Sequence, residues 1–214
     1  MLEDGEQLCF ECESQLQEIS GRRCDGCSRS LEKLAKQHVH GDRCGDCVRW
    51  NENEATNDLL EKNISLYSYN PFLKEWLATY KFRGDAIIAQ FFSQKLSSVY
   101  KKEFSGYIPV EIPLSKERLY ARGFNQSALL LQGWAKEAGL LTRQVGEKQS
   151  KRNRKERIAQ VTNNPFKVHP GMDVAGKKIV LVDDIYTTGT TVRQVAKVLK
   201  EQGATSVASM TVAR

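Results

Sequence analysis

Nowhere in this chain do about 18 apolar residues follow one another, so no membrane-spanning helix is expected. The opening residues, Met1-Leu2-Glu3-Asp4-Gly5-Glu6, are acidic and hold no apolar core of a signal peptide. These absences lead to the expectation of a cytoplasmic protein with no membrane insertion. Cysteine is missing after Cys47, so cross-links and thiolate ligands are unavailable to most of the chain. No internal repeat is visible beyond the cysteines themselves. The 214 residues, 40% hydrophobic and 27% charged, suffice for one ordinary α/β domain with its own core plus a small appendage.

The six cysteines form three pairs, Cys9-x2-Cys12, Cys24-x2-Cys27 and Cys44-x2-Cys47. The sequence between them is polar and carries Gly21, Gly26, Gly41 and Gly45. Such a segment buries little apolar surface, so something else must hold it together. In a reducing compartment, paired C-x2-C motifs read as zinc ligands rather than disulfides. Four thiolates satisfy a tetrahedral structural Zn²⁺, and Cys24, Cys27, Cys44 and Cys47 suffice for one such site. Cys9 and Cys12 are left over as further candidates, and His38 and His40 could also serve as ligands. No βαβ frame surrounds any pair, which argues against a redox role. A zinc-binding domain is expected over 1–50, a linker over 51–63 and a second domain over 64–214.

Charge divides along the same line. Residues 1–50 hold 7 Lys/Arg against 10 Asp/Glu, and residues 51–214 hold 25 against 16. The net +6 therefore sits on the larger segment, which suits a polyanionic ligand or partner.

Periodicity predicts the elements of that segment. Strands are expected over 64–69, 107–112, 179–182 and 206–212, and helices over 71–84, 86–100, 124–137 and 190–202. Pro71 favours a helix start, and Gly139 and Gly203 suit helix ends. Ile179-Val180-Leu181-Val182 is the kind of run that a parallel strand buried on both faces produces. Strands alternating with helices imply an α/β fold with a mainly parallel sheet.

Directly after that run come Asp183-Asp184-Ile185-Tyr186-Thr187-Thr188-Gly189-Thr190-Thr191, which open a helix. In parallel sheets, ligands sit beyond the carboxyl ends of the strands. A helix N-terminus offers N–H groups and a positive dipole end to a phosphate. Gly189 allows close approach of the backbone, and the threonine hydroxyls add donors. Asp183 and Asp184 would repel a phosphate, but they suit ribose hydroxyls or Mg²⁺.

This stretch resembles the signature of the type I phosphoribosyltransferases. The resemblance implies that family's fold, a mainly parallel sheet flanked by helices with a small hood. It implies that Asp183 and Asp184 hold the ribose hydroxyls of phosphoribosyl pyrophosphate (PRPP), and that Thr187, Thr188, Gly189, Thr190 and Thr191 hold its 5′-phosphate. Some members place a third acid after the apolar pair as general base; here that position is Thr187. Pro113-Leu114-Ser115-Lys116, with Arg118 and Arg122, looks like the family's pyrophosphate loop and its cations. Mg²⁺ would accompany PRPP.

Three further features narrow the resemblance: the Cys-rich head, Tyr80-Lys81-Phe82-Arg83-Gly84-Asp85, and Ile112-Pro113-Leu114-Ser115 followed by Arg122-Gly123-Phe124-Asn125-Gln126. Together they are similar to the ComF family of competence proteins over nearly the whole chain. That family implies a role in natural transformation: handling single-stranded DNA that enters the cell, alongside a helicase-like DNA-uptake partner. The run from 148 to 157 contains Lys148, Lys151, Arg152, Arg154, Lys155 and Arg157. It stands where the family carries an Arg-bearing segment. It could close over pyrophosphate or track a DNA backbone, with Phe82, Tyr120 and Phe124 as candidate stacking platforms. An active transferase with an unknown acceptor, or a non-catalytic PRPP sensor, are the alternative expectations.

Overall fold

The computed structural model describes residues 8–83, 86–144 and 164–214, apart from the side chains at 82, 83, 86 and 87. Its sheet is organised around β7 (Lys178–Ile185), which sends Ile179 and Leu181 into one apolar core and Val180 and Val182 into another. That alternation is the two-residue period of a strand covered on both faces. The strand runs past the apolar stretch, so Asp183 and Asp184 lie within its carboxyl end. β7 lies between β8 (Ser206–Ala213) and β4 (Ile108–Glu111), and β3 (Asn63–Tyr67) pairs with the far side of β8. All three pairings are parallel, giving the order β3-β8-β7-β4. The carboxyl ends of all four strands therefore share one edge.

Helix α7 (Thr190–Glu201) covers the first face. Its Val192, Val195, Ala196 and Leu199 are buried at the three- and four-residue spacing of one helical stripe. A separate antiparallel pair, β5 (Leu141–Arg143) and β6 (Phe166–Val168), packs Leu141 and Phe166 into the same core. The second face is covered by α3 (Pro71–Arg83) and α4 (Ala86–Glu103), with Leu73, Leu77, Tyr80, Phe92 and Leu96 fully buried. Trp76 meets Phe91 and Phe92 edge-on in this layer, an arrangement that the aromatic quadrupole favours.

The Cys-rich head consists of α1 (Phe10–Ser14), an antiparallel hairpin of β1 (Val39–His40) and β2 (Arg43–Cys44), and α2 (Gly45–Glu52). Cys24, Cys27, Cys44 and Cys47 belong to the same apolar cluster as Ile179, Leu181 and Val207. The head also shields an edge of the sheet. Ile19 N–H donates to Leu66 O (3.2 Å) and Ser68 N–H to Gln17 O (2.8 Å), so the chain before the ribbon pairs with β3. Among the described residues, no helix is long and apolar enough to cross a membrane.

Of the expected helix over 124–137 only a four-residue helix forms, and a separate short helix precedes it. Ser115 Oγ accepts from Arg118 N–H and starts α5 (Lys116–Arg122), which Gly123 closes at φ 79°. Asn125 then caps α6 (Gln126–Leu129), and tight turns lead to Gly133 at φ 84°. The apolar spacing persists through this stretch, but a left-handed glycine in the middle stops a continuous helix.

Candidate functional site

After β7 the chain turns at Tyr186 and enters α7 through Gly189, whose φ of 81° is the left-handed conformation that suits glycine. A Cβ at that position would lie 2.1 Å from Tyr186 Oη, so space and backbone both require glycine. Thr188 Oγ1 and Thr190 Oγ1 lie 2.8 Å apart. The loop's carbonyls are already engaged. Trp50 Nε1–H donates to Thr188 O (2.9 Å), and Arg214 Nη1 donates to Thr187 O (2.9 Å) and Tyr186 O (3.2 Å). What the loop has left to offer a ligand is its hydroxyls and the first-turn N–H groups of α7, a donor-rich surface suited to an anion.

Asp183 Oδ1 accepts from Ser127 Oγ (2.9 Å) and from the Asp184 N–H (3.0 Å). Burial, followed by the charge of Asp184, pushes the Asp183 carboxyl up to about 8, and the Ser127 hydrogen bond opposes that rise. Asp184 is buried and ion-paired with Lys81 of α3. These three residues share a cleft of about 130 Å³ with Pro113, Leu114, Arg118, Arg122, Arg143 and Thr191. Arg122 Nη1 donates to Gln126 Oε1 (2.6 Å), and the Arg143 guanidinium sits 5.0 Å from the Phe166 ring centroid. Burial and then the neighbouring Arg118 charge hold Arg143 below its ordinary range. Burial also lowers Arg122, where the pull of Asp184 offsets part of the effect and Arg118 adds to it. Lys81, Arg118, Arg122 and Arg143 thus face two carboxyls, one of which holds a proton near neutrality. The cleft has an excess of positive charge and suits an anion with more than one charged group.

Of the residues singled out in the sequence, Pro113, Leu114, Arg118, Arg122, Asp183, Asp184 and Thr191 line this one cleft. Thr187, Thr188, Gly189 and Thr190 form the adjoining turn. Ser115 instead caps α5, and Lys116 is exposed on that helix. Lys148, Lys151, Arg152, Arg154, Lys155 and Arg157 lie outside the described residues. Phe124 packs at a tilt against Tyr80, whereas Tyr120 is 94% exposed. Sequence reasoning missed Lys81, Ser127, Arg143 and Trp50. Lys81 stood within a quoted motif without a role, and neither Arg143 nor Trp50 carries any local signal.

The sulfurs of Cys24, Cys27, Cys44 and Cys47 all lie within 4.8 Å of one another, with 3.6 Å between Cys27 and Cys44. A tetrahedron of thiolates about 2.3 Å from a central Zn²⁺ has edges of about 3.8 Å. All four are buried, and a Cβ at Gly26 would press on Cys47 Sγ at 2.9 Å. Arg214 keeps Nε and Nη2 buried with no hydrogen-bond partner among the described residues, and its guanidinium stacks on Tyr186, which packs in the same apolar cluster as the four cysteines. A buried cation near this cluster fits the thiolate form that a metal ion enforces. The four cysteines are therefore positioned to bind a metal ion. Cys9 and Cys12 are partly exposed, and they stand apart from this cluster.

The chain has relatives among known proteins. Residues 139–214 match the phosphoribosyl transferase domain family. The chain is 38% identical to competence protein ComFC of Bacillus subtilis, over 100% of this chain and 87% of that protein. It is 33% identical to competence protein ComFC of Streptococcus pneumoniae, over 99% and 89% of the two chains. It is also 29% identical to DNA utilization protein YhgH of Escherichia coli, over 94% and 93%.

Proposed function

Since the chain belongs to the ComF family of competence proteins, we propose that it handles imported single-stranded DNA in the cytoplasm during natural transformation, through a domain that binds PRPP. The observation that carries this reading is one cleft in which Asp183 and Asp184, Thr191 of the threonine turn, and Arg118, Arg122 and Arg143 meet. In this reading the turn at 187–191 takes the 5′-phosphate through hydroxyls and α7 N–H groups. Asp183 and Asp184 accept hydrogen bonds from the ribose hydroxyls. Arg118, Arg122 and Arg143 face the pyrophosphate, where charge would build on departure from C1′. Mg²⁺ bound with PRPP would supply further neutralisation of the pyrophosphate oxygens. Zn²⁺ is the metal that four clustered thiolates suit best.

Asp183 gives the ligand a proton to displace. Its carboxyl is protonated near neutrality in the free protein, and accepting hydroxyl hydrogen bonds favours the ionised form. DNA would meet the basic run at 148–157 and the face of α5, where the exposed ring of Tyr120 stands one turn from Lys116 as a stacking platform. A helicase-like uptake protein is the partner this role calls for. A non-catalytic PRPP sensor is the second reading, and it is favoured by Thr187, which leaves no carboxylate at the place where a general base would act.

Gel shifts with single-stranded DNA across salt concentrations test the DNA part. Affinity should fall steeply with salt and drop severalfold for Tyr120→Ala, while Asp183→Asn should leave it unchanged. Salt-independent binding, or none, would leave only a PRPP-binding role.

A further inference from the structure

The metal cluster and the turn at 187–191 are joined by a short helix. α2 begins directly after Cys44, carries Cys47 in its first turn and presents Trp50 one turn later. Trp50 is 1% exposed, and its indole N–H is spent on the carbonyl of Thr188 (2.9 Å). The Arg193 guanidinium lies 4.5 Å from its ring centroid and donates to Tyr186 Oη (2.7 Å). Thr56 Oγ1 ties down the Trp50 carbonyl at the end of the helix (2.8 Å). A helix of 8 residues is marginal by itself, so its anchoring at Cys44 and Cys47 decides where Trp50 stands.

A second arm reaches the same turn from the end of β8. Arg214 donates to Thr187 O and Tyr186 O and stacks 4.6 Å from the Tyr186 ring centroid. Tyr186 in turn packs in one apolar cluster with Cys24, Cys27, Cys44 and Cys47, which ties this arm to the cysteines. Two successive carbonyls of the turn, those of Thr187 and Thr188, are thus held by side chains that depend on the cluster.

We propose that Trp50 and Arg214 are positioning residues through which the Cys24–Cys27–Cys44–Cys47 site sets the conformation of residues 187–191. With the metal bound, α2 is fixed, the two carbonyls are engaged, and the peptide planes that follow present their N–H groups in one orientation. Loss of the metal frees α2, releases the Thr188 carbonyl and lets those planes rotate. That the turn cradles a phosphate rests on the function proposed above; that the metal site orders the turn does not. If both hold, metal and phosphate ligand must strengthen each other's binding by the same factor.

The test uses the full-length, zinc-loaded protein and the variants Trp50→Phe, which keeps the ring but loses the N–H, and Arg214→Gln. Amide hydrogen exchange is followed by mass spectrometry. The expected result is exchange across 187–191 about fivefold or more faster in each variant, as the loss of one hydrogen bond implies. Zinc content should be unchanged and the centre of β7 still protected. Chelating zinc from the wild type should produce the same local change. Unaltered exchange at 187–191 in both variants would overturn the proposal. So would a turn that keeps its protection after zinc is removed. On the ligand side, Trp50→Phe should weaken PRPP binding about fivefold, and ribose 5-phosphate should raise zinc affinity in chelator competition. If the wild type binds neither ligand, the function proposed above fails, and the exchange result alone decides the coupling.

Discussion

The turn at 187–191 and the arginine rim that faces it occupy two sides of one cleft and are built from different materials. The turn presents backbone and hydroxyl groups, fixed by the left-handed Gly189 and by hydrogen bonds from Trp50 and Arg214. The rim presents guanidinium groups on long side chains, two of them on the seven-residue helix α5 and one on β5. Fixed dipoles give geometry, whereas flexible charges give attraction that salt can screen. A turn of the first kind selects one phosphate group by shape, and a rim of the second kind gathers whatever further anionic charge the ligand carries.

The largest effect should come from breaking the fixed side at its root. Cys47→Ser removes one of four ligands and should cost about 4 kcal/mol or more of stability, as losses of structural metal sites do. Zinc content should fall to near zero, and calorimetry should show a lower melting temperature. A smaller break is Gly189→Ala. Positive φ and the clash with Tyr186 should cost about 1–3 kcal/mol in chemical denaturation and should weaken ribose 5-phosphate and PRPP alike, because the turn is common to both.

Arg118→Ala sharpens the contrast from the other side. It should weaken PRPP by about tenfold while changing ribose 5-phosphate by less than about twofold, both read by titration calorimetry. Equal losses for the two ligands would mean that the rim does not distinguish them. A further effect concerns protons. Folded Asp183 holds its proton up to about pH 8, far above an unfolded carboxyl. Its contribution to stability is therefore fully present below the ordinary carboxylate range and is lost as pH rises toward 8. Urea melts should show wild-type stability falling over that window relative to Asp183→Asn; parallel curves would place the carboxyl's titration elsewhere.

Much of this arrangement could be anticipated locally. A four-residue apolar run followed by two acids and a threonine-glycine turn is a single continuous signal, and β7 with its turn follows it closely. Cys24, Cys27, Cys44 and Cys47 were legible as sufficient for one site, but spacing left open which four of the six come together, and the fold gathers these. What escaped notice depends on contacts distant in sequence. Trp50 reaches Thr188 across 138 positions. Lys81 and Arg143 differ in no local way from the many cations that merely face solvent. Between 124 and 137 the apolar spacing suggested one long helix, but Asn125, which caps a four-residue helix by accepting from Ser127 N–H, and the left-handed Gly133 cut it short, while Ser115 and Gly123 bound a separate helix before it. Capping and left-handed glycines overrode periodicity there, and they brought Arg118 and Arg122 to the cleft.

Titration of the full-length, zinc-loaded protein with PRPP and Mg²⁺, following heat and pyrophosphate release, tests the central claim most directly. Saturable binding is expected, and it should be lost in Asp183→Asn/Asp184→Asn. Uptake of the displaced proton by buffer should appear as a dependence of the heat on the buffer's ionisation enthalpy. Absence of binding by the folded wild-type protein would contradict the proposed PRPP site.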